Sequence, residues 1–103
     1  MYTLSIEHQI VDFETWKAAF DRDPAQRERS GVLAYRVFQP RGDPKYVIVQ
    51  LDFAGVGEAE AFQLALERVW SRVELSPGLP RDTSPLGDRP RARILEARVA
   101  HSY

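Results

Sequence analysis

Cysteine is absent from this chain of 103 residues. Without a thiol there is no disulfide, no thiolate nucleophile and no cysteine-ligated metal. Histidine is also scarce, because His8 and His101 are the only imidazoles. They lie far apart, without the ligand spacing of a zinc site or a facial triad, so the sequence predicts no metal site.

Excess charge of one sign and long apolar runs are missing as well. The formal net charge is −1, from 14 basic and 15 acidic residues, which provides no field to attract nucleic acid or an anionic membrane. No apolar stretch approaches the length of a membrane-spanning helix, and residues 1–10 lack the features of a signal peptide. We therefore expect a cytoplasmic protein with neither a nucleic-acid nor a membrane partner.

The chain length and the apolar content are those of one domain. A hydrophobic fraction of 44% and an aromatic fraction of 11% are enough for one core, so residues 1–103 are expected to form a single domain. Four prolines and two glycines lie between Ser76 and Pro90 among few apolar residues, which predicts an irregular loop over residues 75–91.

The first quarter of the chain has the pattern of a strand followed by a helix. Apolar and polar residues alternate from Tyr2 to Ile10, which is typical of a strand with one buried face. Asp12 is a candidate N-cap, and the aromatic residues after it recur at helical spacing. The cap-like Asp23-Pro24 pair predicts that the helix breaks there and that a second helical segment begins, with Gly31 suited to end it.

The remaining segments predict a hairpin, a second helix and a last strand. Val32 to Gln39 and Tyr46 to Phe53 are rich in β-branched and aromatic residues and flank a turn-forming segment. After Gly55 an amphipathic stripe predicts a helix, and alternation from Arg93 to Val99 predicts the closing strand. The helical stripe consists of Phe62, Ala65, Leu66, Val69, Trp70 and Val73.

This order, β-α-β-β-α-β, predicts an α+β fold of the ferredoxin-like type. A four-stranded antiparallel sheet would carry both helices on one face. The other side, here called the open face, would then combine apolar and charged residues. Its expected members are Ala34, Phe38, Tyr46, Ile48 and Ile94, among Thr3, Ser5, Glu7, Arg36, Gln50, Glu96 and Arg98. Such a patch usually marks a contact surface, so we expect a homodimer in which two sheets face each other and the charges pair across the interface.

Three stretches of the chain form a familiar pattern: His8-Gln9-Ile10-Val11-Asp12-Phe13-Glu14-Thr15-Trp16-Lys17-Ala18-Ala19-Phe20-Asp21, Gly31-Val32-Leu33-Ala34-Tyr35-Arg36-Val37-Phe38, and Leu51-Asp52-Phe53 with the Ala61-Phe62 helix. The pattern resembles the dimeric α+β barrel superfamily, in particular small bacterial proteins of unknown function related to antibiotic biosynthesis monooxygenases. It extends from about Tyr2 to Trp70 and over the last strand. The segment from Leu75 to Pro90 matches no part of the pattern.

The resemblance implies a dimeric α+β barrel with a small-molecule pocket between sheet and helices in each subunit. Its members include cofactor-free oxygenases of polycyclic aromatic substrates, heme-degrading enzymes, lactone isomerases and proteins without a known reaction. The heme-degrading branch is a poor match, because its asparagine has no counterpart and no histidine lies in the second helix. The resemblance therefore implies a protein that binds a small aromatic or apolar molecule, with cofactor-independent monooxygenation as the candidate reaction and no bound cofactor.

His8 is the candidate catalytic residue. It shares the helix-facing side of the first strand with Leu4 and Ile6, and a neutral imidazole there could take a proton from a phenol or an acidic carbon. A buried histidine that only forms local hydrogen bonds is the alternative interpretation.

Aromatic side chains on the inward faces of the helices and on the second strand are the candidate substrate-binding residues. They are Phe13, Trp16, Tyr35, Phe62 and Trp70. They would line a flat cavity suited to an aromatic molecule. The alternative is that they only pack the core, in which case the protein would be a binding or structural dimer without catalysis.

Overall fold

The computed structural model describes residues 1–23, 25–74 and 90–103. Within these ranges the chain forms a four-stranded sheet and two helices. The elements are β1 (Tyr2–Gln9), α1 (Phe13–Asp21), β2 (Ala34–Phe38), β3 (Tyr46–Phe53), α2 (Val56–Glu74) and β4 (Arg91–Glu96). The predicted β-α-β-β-α-β order and the ferredoxin-like α+β fold are confirmed.

The sheet has the strand order β2-β3-β1-β4, and every neighbouring pair is antiparallel. Leu4 lies opposite Leu51 and Ile6 opposite Val49, so the apolar sides of β1 and β3 coincide. Because side chains alternate strictly along a strand, this register places one whole apolar layer under the helices. The two central strands therefore form the floor of the core.

The core lies between this layer and the two helices. Phe53 and Leu4 are fully buried in the sheet, Phe62 of α2 packs on Phe53, and Trp16 of α1 belongs to the same buried cluster. Both helices thus pack on the same face, as predicted. Of the two helices described, neither is long and apolar enough to cross a bilayer.

Helix α1 begins where the sequence predicts. The Asp12 carboxylate accepts hydrogen bonds from the Thr15 backbone amide at 2.7 Å and from the Thr15 hydroxyl at 2.8 Å. These bonds satisfy an amide that the first helical turn leaves without a partner, and they hold the pKa of Asp12 below its usual value.

The end of α1 agrees with the prediction only in part. The helix stops at Asp21, but no second helix follows, because the described residues from Ala25 to Gly31 form a series of turns. Asp23 has φ 52°, outside the helical region, and its carboxylate accepts the Arg27 amide at 2.9 Å. Asp23 therefore closes a turn instead of capping a helix.

Strand β4 differs from the prediction in two ways: in its first and last residues, and in which of its side chains lie on each face of the sheet. It begins at Arg91 and ends at Glu96, so Arg91, the last residue of the predicted loop, belongs to the sheet. Pro90 is irregular as predicted, and residues 75–89 lie outside the described residues. Ile94 lies opposite Leu4, and Glu96 lies opposite Tyr2. Both therefore occupy the helix-facing side, not the open face as predicted. The prediction was wrong by one residue of register, which exchanges the two faces of a strand.

Candidate functional site

His8 lies on the helix-facing side of β1, opposite Val47 of β3. It is buried, with 5% of its surface exposed, and both ring nitrogens are shielded from solvent. The period of two along β1 places it in the same layer as Leu4 and Ile6. The structure thus puts an imidazole in the apolar layer that the helices cover, on the side of the sheet that the sequence predicts.

A row of aromatic rings runs along α1 and ends on β2. The ring centroids are 5.7 Å apart for Phe13 and Trp16, 4.9 Å for Trp16 and Phe20, and 5.3 Å for Phe20 and Tyr35. These separations are those of favourable offset and edge-to-face pairs. We call these four residues the aromatic row. It contains three of the five predicted substrate-binding residues and joins them into one surface.

Arg27 closes the Tyr35 end of the aromatic row. Its guanidinium carbon lies 4.0 Å from the centroid of Phe20 and 5.0 Å from that of Tyr35, and one terminal nitrogen donates to the Phe20 carbonyl at 2.8 Å. A cation above aromatic faces is held by the ring quadrupole. Sequence reasoning missed Arg27, because the turns that bring it back over α1 have no periodic signal.

The predicted aromatic residues of α2 are buried in the core. Phe62 packs on Phe53 of β3, with centroids 5.6 Å apart, and only 2% of it is exposed. Trp70, near the other end of α2, is 8% exposed. Both face the sheet as predicted. Phe62 belongs to a packed pair, which leaves Trp70 as the α2 candidate for contact with a ligand.

The register of the strands places two of the predicted site residues, His8 and Tyr35, at different positions along the sheet. Tyr35 lies opposite Leu51, whereas His8 lies opposite Val47, four residues away on β3. At about 3.3 Å per residue this is a displacement of about 13 Å along the strands. The structure therefore does not bring His8 and Tyr35 to one point. A ligand that touched both side chains would have to span this distance.

The open face carries a second group of connected residues, and Asp52 is at its centre. The Arg36 guanidinium donates to both carboxylate oxygens of Asp52, at 2.9 and 3.0 Å, and the Thr3 hydroxyl donates at 2.9 Å. The hydrogen bonds from Arg36, more than the one from Thr3, hold the pKa of Asp52 below its usual value, and Asp52 raises that of Arg36.

Tyr46 and Glu7 form a second polar pair on the open face. The Tyr46 hydroxyl donates to Glu7 at 2.8 Å, and this bond raises the pKa of Tyr46. Arg36 and Glu7 therefore have partners within their own sheet. Glu7 and Glu96 lie on opposite faces and form no carboxylate pair. Among the described residues, no group of three His, Asp or Glu side chains is placed to hold a metal ion.

Comparison with known proteins gives a fold and no sequence relative. No protein-family profile and no curated protein matches the sequence. A dimeric ferredoxin-like protein from an uncultured marine organism superposes with a TM-score of 0.63 at 9% identity, covering 97% of each chain. An antibiotic biosynthesis monooxygenase superposes with a TM-score of 0.58 at 11% identity, covering 96% of this chain and all of the other.

A third similar structure carries a ligand. A monooxygenase from Streptomyces coelicolor, in complex with nanaomycin D, superposes with a TM-score of 0.62 at 17% identity, covering 99% of this chain and 91% of that one. At these identities the likeness defines the architecture and leaves the chemistry to be argued from the residues. The chain has the ferredoxin-like fold, which it shares with a dimeric ferredoxin-like protein and with antibiotic biosynthesis monooxygenases.

Proposed function

We propose that the protein is a homodimer that binds a flat aromatic molecule between the sheet and the helices and oxidises it with molecular oxygen, without a bound cofactor. The observation that supports this best is the burial of His8 in the apolar layer beneath the helices. The fold supports it too, since two similar structures are monooxygenases and one is described as dimeric.

The composition of the open face supports self-association. Phe38 is 46% exposed and Leu95 is 39% exposed, while Ile48 of β3, which lies opposite Phe38, is partly buried. Exposed apolar side chains on a sheet are stabilised when a second sheet covers them. A charge can be covered at low cost only if it is already paired, and the bonds from Arg36 to Asp52 and from Tyr46 to Glu7 provide that pairing within each subunit.

The chemistry proposed for His8 is proton abstraction. The neutral imidazole takes a proton from a phenol or from an acidic carbon, and the resulting anion transfers electrons to oxygen. For anthrone, the ring CH2 becomes a carbonyl: two C–H bonds break, one oxygen atom is retained and the other leaves as water. The substrate loses four electrons and oxygen gains four, so no other reductant is needed.

Oxygen uptake with anthrone tests the catalytic part. We expect the wild-type protein to form anthraquinone, and His8→Gln to lower kcat by about 10²- to 10⁴-fold. Glu60→Gln, an exposed change on α2, is the matched control. Restoration of turnover in His8→Ala by added imidazole would identify the missing group as a base. Equal kcat values for His8→Gln and the wild-type protein would contradict the proposal.

A binding or structural dimer without catalysis is the second candidate. The observation in its favour is the continuity of the aromatic row, whose rings already contact one another. Fluorescence titration of Trp16 and Trp70 with anthrone distinguishes the two candidates. Saturable quenching without oxygen uptake indicates a binding protein, and no quenching indicates a core filled by its own side chains.

A further inference from the structure

Arg27 is a partly buried cation that the chemistry proposed for His8 does not use. Its side chain is only 16% exposed, and its guanidinium lies over the rings of Phe20 and Tyr35. A charge shielded from water in this way attracts an anion more strongly than a charge in solvent does, because less water screens it. The Tyr35 end of the aromatic row therefore carries a cation in a setting that favours an anionic partner.

The backbone of Arg27 is held at both of its polar groups. Its amide donates to the Asp23 carboxylate at 2.9 Å, and its carbonyl accepts from the Val32 amide at 3.0 Å. The same series of turns is closed by the Ser30 hydroxyl, which donates to the Ala25 carbonyl at 2.7 Å. The guanidinium is thus positioned before a ligand arrives, which lowers the entropy that binding would cost.

One nitrogen of the guanidinium makes all of its polar contacts with the protein. Nη1 donates to the Phe20 carbonyl at 2.8 Å, and the same nitrogen lies 3.6 Å from a carboxylate oxygen of Asp23. The second distance is too long for a hydrogen bond, so Asp23 neutralises the charge only in part. Within the described ranges of the chain, Nε and Nη2 donate to no acceptor. These two nitrogens present parallel N–H groups, which a carboxylate accepts with both of its oxygens.

An apolar surface lies beside this pair of donors. Tyr35 is 45% exposed, and its ring centroid is 5.0 Å from the guanidinium carbon of Arg27. An aromatic ring placed against Tyr35 would bury apolar surface, and a carboxylate attached to that ring would lie beside the guanidinium. A neutral hydrocarbon would use only the first of these two features.

We infer that Arg27 determines specificity for a carboxylate on the aromatic ligand. The ligand is an aromatic acid whose carboxylate accepts two hydrogen bonds from Arg27 and whose ring packs on Tyr35. Since Tyr35 and His8 lie about 13 Å apart along the strands, an acid that reached both would carry its carboxylate at the end far from the reacting carbon. This inference rests on the proposed function, because it adds a substrate class to the same site.

Calorimetric titration with two matched probes tests the inference. Anthraquinone-2-carboxylate and anthraquinone-2-carboxamide share a ring system and differ in charge. We expect the wild-type protein to bind the carboxylate about tenfold or more tightly than the carboxamide. Arg27→Gln should lose this preference while its affinity for the carboxamide changes by less than about twofold. Arg29→Gln, an exposed change in the same turns, is the control and should keep the preference.

A variant that gains affinity excludes loss of the fold as the explanation. Asp23→Asn keeps a side-chain oxygen to accept the Arg27 amide, and asparagine tolerates the φ of 52° at this position. The change removes a negative charge that competes with the ligand for the guanidinium. We expect the dissociation constant of the carboxylate to fall about threefold, with that of the carboxamide unchanged.

The two probes also separate the failure of this inference from the failure of the proposed function. A wild-type protein that bound neither probe would overturn both. A wild-type protein that bound the carboxamide as tightly as the carboxylate would overturn the role of Arg27 alone. Persistence of the preference in Arg27→Gln would have the same meaning.

Discussion

At the scale of single residues, Gly31 is the position where the backbone depends most on residue type. It lies between the turns after α1 and the start of β2, with φ 95°, a conformation that L side chains rarely adopt. A Cβ atom there would also collide with the Glu58 carboxylate. The residue thus fixes the direction in which the chain enters the sheet.

Substitution of Gly31 is therefore expected to be costly. Gly31→Ala should lower the free energy of unfolding by about 1–2 kcal/mol, the usual cost of forcing an L residue into the left-handed region. Gly57→Ala is the matched control, because Gly57 lies in α2 with open space around its Cα and alanine there should stabilise by about 0.4–1 kcal/mol. Urea denaturation measures both, and a neutral Gly31→Ala would contradict the argument.

At the scale of elements, β3 is the strand on which the fold depends. It pairs with β1 on one side and β2 on the other, and its inward residues are all buried. Its period of two is unambiguous in sequence, because every inward residue is apolar, so its bounds were predicted correctly.

Truncation of an inward residue of β3 should show this dependence. Phe53→Ala removes a fully buried ring that packs on Phe62, and we expect a loss of about 3–5 kcal/mol in the free energy of unfolding. Leu64→Ala, half exposed on α2, should change the same quantity by less than about 0.5 kcal/mol. Chemical denaturation followed by tryptophan fluorescence compares them, and similar losses would argue against a core centred on β3.

In strand β4 the alternating sequence pattern does not determine which side chains face the helices. Arg93 and Leu95 alternate with Ile94 and Glu96, so each face would receive one apolar and one charged residue. Neither register is favoured by burial within the strand itself. Pairing with β1 decides it, because Ile94 completes the buried layer opposite Leu4.

At the scale of the whole molecule, the proposed dimer depends on the polar bonds of the open face. Asp52 accepts from Arg36 and Thr3, and its pKa is held below the ordinary value of 3.8 by these hydrogen bonds. A lowered folded-state pKa means that the stabilisation is fully present above the ordinary value. It is lost only as the pH falls through the lowered value.

The dimer is accordingly expected to be insensitive to mild acid. Its dissociation constant should be flat between pH 7 and pH 5. Asp52→Asn leaves Arg36 without its ionic partner beneath the second sheet, so this variant should raise the dissociation constant by about tenfold or more. Asp21→Asn removes an exposed ion pair with Lys17 on α1 and should leave association unchanged. Dissociation between pH 7 and pH 5, or equal effects of the two variants, would contradict this role of Asp52.

The sequence by itself determined the element order, the start of α1 and the inward faces of β1 and β3, because those signals are local and periodic. It also placed His8 on the side of the sheet that the helices cover. Only the tertiary structure decided the facing of β4, the position of Arg27 over the aromatic row and the separation of His8 from Tyr35. Each of these depends on how distant strands and turns align, and an alternating pattern within one segment carries no information about that alignment.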